Sequence, residues 1–325
     1  MMFQKDTATD VMNHWGTKRI PFLFIIDFEM KSIRLYRTDQ PLPDNVTFDF
    51  SNAKKKTNQN LYPNKILFKK YPVSEEIYKE AFNEVQNEIF AGNSFLLNLT
   101  FPTRIEINLT LREIFDQCKA KYKLIVENEF VVFSPESFVT ITDGIISSCP
   151  MKGTIDADVY NAQEIILNNP KETAEHNTVV DLIRNDLSIV ATDVEVNRFR
   201  YIDRISTNEG DLLQVSSKII GKLPSDYHES IGTLLFLLLP AGSVTGAPKR
   251  KTVEIIRNAE TSERGYYTGI CGHFDGKNLD SAVMIRFIEN RDGELWFRSG
   301  GGITCNSLWK DEYHELIQKV YVPIV

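Results

Sequence analysis

The 325-residue chain is predicted to have an α+β fold, on three observations. Segments with strand character come in runs and do not alternate one-for-one with helices, which favours α+β over a doubly wound sheet. The composition, 42% hydrophobic and 25% charged, is that of a globular protein. The length allows one large domain or two of average size. No internal repeat is visible, and no break in composition marks a linker between domains.

Apolar alternation predicts the strands, and helical apolar spacing predicts the helices. Strands are expected at residues 21–27, 32–36, 94–100, 123–133, 137–147, 212–221, 267–274, 281–288 and 294–298. Helices are expected at 74–91, at about 307–320, and from Pro170 to about Leu187, where Asn169 is a typical N-cap. The apolar residues 234–239 predict a buried helix that ends at Pro240, and the polar residues 40–65 predict a loop.

Charge and patterning exclude several classes of protein. A net charge of −7 and a pI near 5.4 argue against a nucleic-acid partner. The longest apolar run is far shorter than the roughly 20 residues of a membrane span, and the N-terminus lacks the apolar region of a signal peptide. The four cysteines are scattered, which predicts reduced thiols. We therefore expect a cytoplasmic protein with no nucleic-acid or membrane partner.

Two pairs of glutamates have the spacing of neighbours on one helix face. Glu172 and Glu175 are three residues apart, as are Glu312 and Glu315, and each pair lies in a predicted helix. Like charges on one face repel, so each pair is either part of a solvated surface or a ligand pair for a hard cation. Mg²⁺ favours such carboxylate oxygens together with water and substrate oxygens. Lys319 lies on the same stripe as the second pair and could offer a positive charge to an anionic substrate.

A glycine-rich stretch and an isolated lysine are further candidates. SGGGIT, residues 299–304, is predicted to be a loop whose backbone N–H groups meet an anion, or else a tight turn. PAGSVTGAPK, residues 240–249, lacks the spacing of a P-loop. Lys152, between Pro150 and Gly153, is predicted to stand on a rigid turn. It is either an exposed lysine or a nucleophile, and a nucleophilic lysine must be neutral.

Taken together, these stretches resemble the chorismate-utilising enzymes over roughly residues 75–325. The matching motifs occur in the order SPES, PMKGT, KETAEHNTVVDLIRNDL, AGSVTGAPK, RGYYTGICGHF, AVMIRF, GGGIT and DEYHELIQK. The resemblance implies a single domain over residues 1–325, with two large, mainly antiparallel sheets packed together and helices outside. Residues 1–74 would form a shortened N-terminal portion, in which the tryptophan-binding motif of the family is not recognisable.

Within that family, the lysine in PMKGT resembles the aminodeoxychorismate synthase component I branch, whose members carry lysine at this position. The resemblance implies that Lys152 attacks C2 of chorismate and that Glu136 protonates the departing C4 hydroxyl as a general acid. It also implies a Mg²⁺ ion held by the four glutamates. Substrate carboxylates would be held by Arg286, Lys319 and the amides of Gly301 and Gly302, and Thr245 would line the pocket. The sequence departs from the family at Gln214, where histidine is frequent, and at Leu316, where threonine is frequent.

The resemblance also predicts a source of ammonia and leaves two alternative functions open. No glutaminase motif is recognisable, so ammonia is expected from solution or from a separate glutamine amidotransferase subunit. The product would be 4-amino-4-deoxychorismate, on the way to 4-aminobenzoate and folate. One alternative is an anthranilate synthase component I in which Lys152 is incidental. Another is a subunit that binds chorismate or a partner protein without catalysis.

Overall fold

A computed structural model of the chain describes residues 2–50, 66–206 and 211–323. The helices are α1 Lys5–Thr17, α2 Glu75–Phe90, α3 Leu111–Gln117, α4 Ala162–Asn168, α5 Pro170–Leu187, α6 Ile231–Leu238, α7 Lys249–Ala259 and α8 Trp309–Gln318. Short 3₁₀ turns cover Tyr227–Ser230 and Gly242–Val244. None of these helices is long and apolar enough to cross a bilayer.

The strands fall into two sheets. The strands are β1 Met2–Phe3, β2 Phe22–Ile26, β3 Ile33–Arg37, β4 Val46–Asp49, β5 Phe68–Tyr71, β6 Leu96–Ile107, β7 Tyr122–Val126, β8 Phe130–Ser134, β9 Ser137–Thr142, β10 Ile145–Ser148, β11 Met151–Asp156, β12 Thr192–Ser206, β13 Asp211–Lys222, β14 Gly246–Ala247, β15 Ile270–Phe274, β16 Leu279–Val283, β17 Phe287–Arg291 and β18 Glu294–Ile303. The larger sheet runs β1-β3-β2-β15-β16-β9-β10-β13-β11, with β12 on β13. The smaller sheet runs β14-β6-β18-β17-β8-β7-β4, with β5 on β6.

The two sheets pack against each other, and helices cover their outer faces. Strand β2 shows why, because all five of its residues are buried. Leu23 and Ile25 join a core with β4, β7 and β8 of the smaller sheet, whereas Phe22, Phe24 and Ile26 join a core that includes α1 and α6. Alternate side chains of a strand point to opposite faces, so a strand covered on both faces is apolar throughout. The predicted α+β class with two packed antiparallel sheets is confirmed.

Several predicted elements match closely. Asn169 caps α5, its side chain accepting a hydrogen bond from the backbone N–H of Glu172 at 3.1 Å. The helices expected at 74–91 and 307–320 are α2 and α8, and the buried apolar helix is α6, which ends before Pro240. Strands expected at 212–221 and 294–298 lie within β13 and β18.

Other expectations were wrong. Residues 123–133 and 137–147 each form a hairpin and not one strand, because left-handed backbone at Asn128 (φ 64°) and at Asp143 and Gly144 (φ 50° and 79°) reverses the chain. Residues 281–288 span the end of β16 and the start of β17. The expected loop at 40–65 contains strand β4, and its residues 51–65 lie outside the described residues.

Candidate active site

Lys152 stands on strand β11 and not on the predicted turn. The strand pairs with β13, Lys152 opposite Val215 and Thr154 opposite Gln214, so that Gly153 is an extra residue between them. Gly153 has φ +76°, a left-handed conformation that suits glycine. The arrangement is a β-bulge, a device that re-aims neighbouring side chains. The Nζ of Lys152 lies 3.7 Å from Oε2 of Glu175, and its side chain is 21% exposed.

Helix α5 brings its two glutamates to the bulge. Oε2 of Glu172 lies 3.2 Å from the position that a Cβ would take at Gly153, so the bulge glycine leaves room for this carboxylate. Glu175 is one turn further along and is only 9% exposed. The next residue, His176, is also buried, and its Nε2 lies 2.7 Å from the Ser217 hydroxyl. Burial lowers the pKa of His176 to about 4, so this imidazole is neutral at physiological pH.

Helix α8 brings the second pair of glutamates to strand β18. Glu312 is 1% exposed. A Cβ at Gly301 would lie 3.3 Å from Oε2 of Glu312 and 3.5 Å from Oε1 of Glu315. Lys319, at the end of the same helix, donates to Oε1 of Glu315 at 2.6 Å and to the carbonyl of Gly300 at 2.9 Å. The predicted stripe of two glutamates and a lysine is therefore a close-packed set.

The predicted glycine loop is part of β18. Residues 299–303 continue the pairing with β6, but the β17 pairing stops at Arg298. A Cβ at Gly300 would stand 2.3 Å from the carbonyl oxygen of Leu99, so the strand pairing itself excludes a side chain there. The loop prediction was wrong because a strand with glycines at a close approach has the same composition as a turn.

Glu175 of the α5 pair and both glutamates of the α8 pair lie against two adjacent glycines of β18. A Cβ at Gly302 would lie 3.5 Å from Nζ of Lys152 and 3.9 Å from Oε2 of Glu175, whereas Gly301 faces the α8 pair. Within the described ranges no three or more Asp, Glu, His or Cys side chains surround one point. The carboxylate chemistry still fits Mg²⁺, which commonly takes only one or two protein carboxylates beside water and substrate oxygens.

Glu136 lies between β8 and β9, and its carboxyl contacts a serine and lies near three cationic side chains. Its Oε1 accepts a hydrogen bond from the Ser243 hydroxyl at 2.5 Å. Removal of water by burial raises the pKa of Glu136, although Ser243 and the nearby cations Lys152, Arg286 and Lys319 favour the charged form. A carboxyl with a raised pKa is suited to donating a proton.

Arg286 is partly exposed, whereas Thr245 is fully buried. Arg286 has left-handed backbone, φ 51°, between β16 and β17. Its Nε donates to the Tyr321 hydroxyl at 3.3 Å, and its guanidinium stands 5.1 Å from the centre of that ring. Thr245 is fully buried and donates its hydroxyl proton to the carbonyl of Ala241 at 2.7 Å. Its role as a pocket-lining residue stays a prediction.

The two departures from the family pattern are also located. Gln214 lies on β13, and its amide donates to the Thr154 hydroxyl at 3.5 Å. Leu316 is fully buried in the core between α8 and α2.

Sequence reasoning missed three residues around this site. Ser243, on the 3₁₀ turn Gly242–Val244, contacts Glu136, and Tyr321 contacts Arg286. Asp186 accepts a hydrogen bond from Lys249 at 2.8 Å and packs against Gly242 of that turn. Ser243 and Lys249 lie within the motif AGSVTGAPK, so the motif itself was the available signal. Tyr321 had none, because only the fold brings the C-terminal segment to Arg286.

Comparison with known proteins identifies relatives over nearly the whole chain. The family model described as chorismate binding enzyme matches residues 28–324. An uncharacterised PabA-like protein of Haemophilus influenzae is 50% identical over 312 residues, covering 96% of this chain and 95% of that protein. Aminodeoxychorismate synthase component 1 of Bacillus subtilis is 29% identical over 265 residues, 77% of this chain and 55% of that one. The crystal structure of anthranilate synthase component I from Streptococcus pneumoniae superposes with a TM-score of 0.64 at 25% identity, covering 78% of this chain and 58% of that one.

Proposed function

This chain belongs to the chorismate-binding enzyme family, and we propose that it aminates chorismate at C4 to give 4-amino-4-deoxychorismate. The observation that carries the proposal is Lys152, on a bulge beside Glu175 and near the carboxyl of Glu136, whose pKa is raised by burial. A subunit that only binds chorismate needs neither a nucleophile nor an acid. The rival reaction of anthranilate synthase does not need this lysine.

The first half of the proposed reaction transfers the ring to Lys152. After its ammonium group has given a proton to solvent, the amine of Lys152 forms a bond to C2 of chorismate, the ring double bonds shift, and the bond from C4 to its hydroxyl breaks. Glu136 gives its proton to that oxygen, which leaves as water. The raised pKa of Glu136 supports this role, because the carboxyl keeps its proton at a pH where an ordinary glutamate has lost it.

The second half restores the enzyme. Ammonia forms a bond to C4, the double bonds shift back, and the bond between C2 and Lys152 breaks. Glu136, now a carboxylate, takes back the proton that the incoming nitrogen loses. Two displacements through a covalent intermediate replace one difficult substitution. The chain would receive its ammonia from solution or from a separate glutamine amidotransferase subunit.

Other residues of the site would bind and orient the substrate. The guanidinium of Arg286 suits a carboxylate because its N–H donors form a planar fork. Lys319, the amides of Gly301 and Gly302, and Thr245 complete the proposed set of substrate contacts. Glu172, Glu175, Glu312 and Glu315 would hold Mg²⁺, which when bound supplies positive charge for a carboxylate of chorismate.

Product identification tests the proposal. The purified chain is incubated with chorismate, Mg²⁺ and ammonium at alkaline pH, and the products are separated and identified by mass and NMR. We expect 4-amino-4-deoxychorismate, with turnover lost when the metal is chelated. Anthranilate with pyruvate would assign the chain to the rival reaction, and no consumption of chorismate would support a binding subunit.

A further inference from the structure

Within the described part of the chain, the side chain that donates a hydrogen bond to the Glu136 carboxyl is Ser243. The hydroxyl oxygen of Ser243 lies 2.5 Å from Oε1 of Glu136 and donates to it. A hydrogen bond from a hydroxyl to a carboxyl oxygen is directional. A carboxyl side chain held by one such bond has a single preferred orientation.

The turn that carries Ser243 is itself held from two sides. A Cβ at Gly242 would lie 3.0 Å from Oδ2 of Asp186 on α5, so the turn packs directly on that helix. Asp186 accepts from Lys249 of α7 at 2.8 Å, and these two side chains are only 14% and 19% exposed. Arg264 donates to the carbonyl of Val244 at 2.8 Å. The backbone on either side of Ser243 is therefore held by α5 and by Arg264.

The space behind this pair is small and mainly apolar. A cavity of about 20 Å³ is lined by Glu136, Ser243 and Asp186 together with apolar side chains such as Phe138, Ile183 and Leu238. Such a volume holds about one water molecule. The cavity beside the pair is therefore too small to admit more than about one water molecule next to Oε1.

We propose that Ser243 is a positioning residue that holds Glu136 through Oε1 and so leaves the proton on Oε2, the oxygen that delivers it to the substrate. The inference rests on the proposed function, in which Glu136 protonates the departing hydroxyl. An oxygen that accepts a hydrogen bond from Ser243 cannot at the same time present its own proton along that direction. The serine thus decides which carboxyl oxygen is the acid and where it points.

The charged groups around Glu136 give a second measurable consequence. Lys152 of β11, Arg286 after β16 and Lys319 after α8 favour the charged carboxylate, as the Ser243 hydroxyl does, and Asp186, paired with Lys249, lines the same cavity. Removing only the Ser243 donor leaves those charges in place and raises the pKa of Glu136 further. The alkaline limb of the pH profile of kcat, where the acid loses its proton, then moves to higher pH.

The experiment compares Ser243→Ala, Ser243→Thr and the control Ser148→Ala by chorismate consumption across pH. Ser148 lines the same cavity but donates to the backbone carbonyl of Phe138 and not to Glu136. We expect Ser243→Ala to lower kcat roughly tenfold with KM little changed, and to shift the alkaline limb upward. Ser243→Thr, which keeps the hydroxyl, should restore most of kcat and the wild-type profile, and Ser148→Ala should match the wild type.

The inference is overturned if Ser243→Ala has the kcat and pH profile of the wild type. It is also overturned if kcat falls equally in the alanine and threonine variants with no shift of the profile, since that is loss of packing. Thermal unfolding of each variant identifies any that fail to fold, and the threonine variant then decides by its profile. Chorismate consumption is followed whatever the product, and anthranilate formation also requires loss of the C4 hydroxyl. An unexpected wild-type product would therefore reject the proposed function without deciding the role of Ser243.

Discussion

Lysine–glutamate pairs set the charge balance among the residues of the site. Lys152 lies 3.7 Å from Glu175, and Lys319 lies 2.6 Å from Glu315. Each lysine offsets part of the repulsion that would arise from bringing carboxylates together at Gly301 and Gly302. These pairings explain how the fold tolerates two glutamates on one face of α5 and two on one face of α8.

At the residue scale, the stability of the protein should depend on the protonation of Glu136. Burial raises the pKa of Glu136, so the folded protein holds this proton more tightly than the unfolded chain does. The resulting stabilisation is present below the ordinary pKa of a glutamic acid and is lost as the pH rises through the raised value. In Glu136→Gln the neutral amide does not titrate, so the melting temperature of the variant should gain on that of the wild type from pH 4 to pH 8.

The same variant should lose activity, by about 10²- to 10⁴-fold in kcat, the usual contribution of a general acid. Thermal unfolding and chorismate consumption measure the two effects in one preparation. Glu294→Gln, at an exposed position on β18, is the matched control and should change neither quantity. A difference in melting temperature that does not vary with pH would mean that Glu136 is not held protonated by burial.

At the element scale, the bulge on β11 is the feature that aims Lys152. Gly153→Ala places a methyl group at φ +76° and 3.2 Å from Oε2 of Glu172. Left-handed backbone costs a non-glycine residue about 1–2 kcal/mol, so we expect a loss of that size in the free energy of unfolding. Displacement of Lys152 should also lower kcat more than tenfold, because small misplacements of a reacting group are costly.

Gly92 offers a control with the same backbone cost. It has φ +77° in the turn after α2, and a Cβ there would meet nothing within 4 Å. Gly92→Ala should therefore lose a similar free energy of unfolding, measured by denaturant titration, and retain its activity. Equal activities in the two variants would show that the bulge does not position the lysine.

The sequence predicted elements best where one local signal decided them. Asn169 followed by Pro170 predicted the start of α5, and the apolar run before Pro240 predicted α6. The glycines of β18 were misassigned because their reason is a close approach to the backbone of β6, which lies about 200 residues earlier in the chain. The helix α1 was missed, since its apolar positions acquire a partner only when α6 packs on it.

The same limit applies to the site. The individual candidates, from Lys152 to the four glutamates, followed from motifs whose order along the chain is specific. Their relation in space did not follow, because β11, followed by α5, belongs to the larger sheet, whereas β18, followed by α8, belongs to the smaller sheet, and only the packing of the two sheets brings them together. The contact of Ser243 with Glu136 spans 107 positions of sequence and could not be derived from either local segment.

On the scale of the whole molecule, the use of glutamine as a source of ammonia should depend on a second protein. Glutamine hydrolysis by amidotransferases needs a reactive thiolate, and no glutaminase motif is recognisable in the sequence. Burial raises the pKa of Cys118 to about 12 and also raises the pKa of Cys149 and of Cys271, whereas Cys305 is exposed. We therefore expect ammonium to support amination by the chain alone, and glutamine to support it only after a glutamine amidotransferase subunit from the same organism is added. The assay follows the amino product with each nitrogen source. Glutamine-dependent turnover by the chain alone would contradict this account.

The most direct test of the central claim is the intact mass of the protein after brief exposure to chorismate and Mg²⁺ without ammonia, followed by peptide mapping. We expect an adduct equal to chorismate less one water, located on Lys152 in the wild type and absent from Lys152→Arg, which keeps the positive charge but has no neutral amine. Addition of ammonium should remove the adduct and release the amino product. A wild-type enzyme that aminates chorismate without ever carrying this mass, or a Lys152→Arg enzyme that still aminates it, would contradict the covalent role of Lys152.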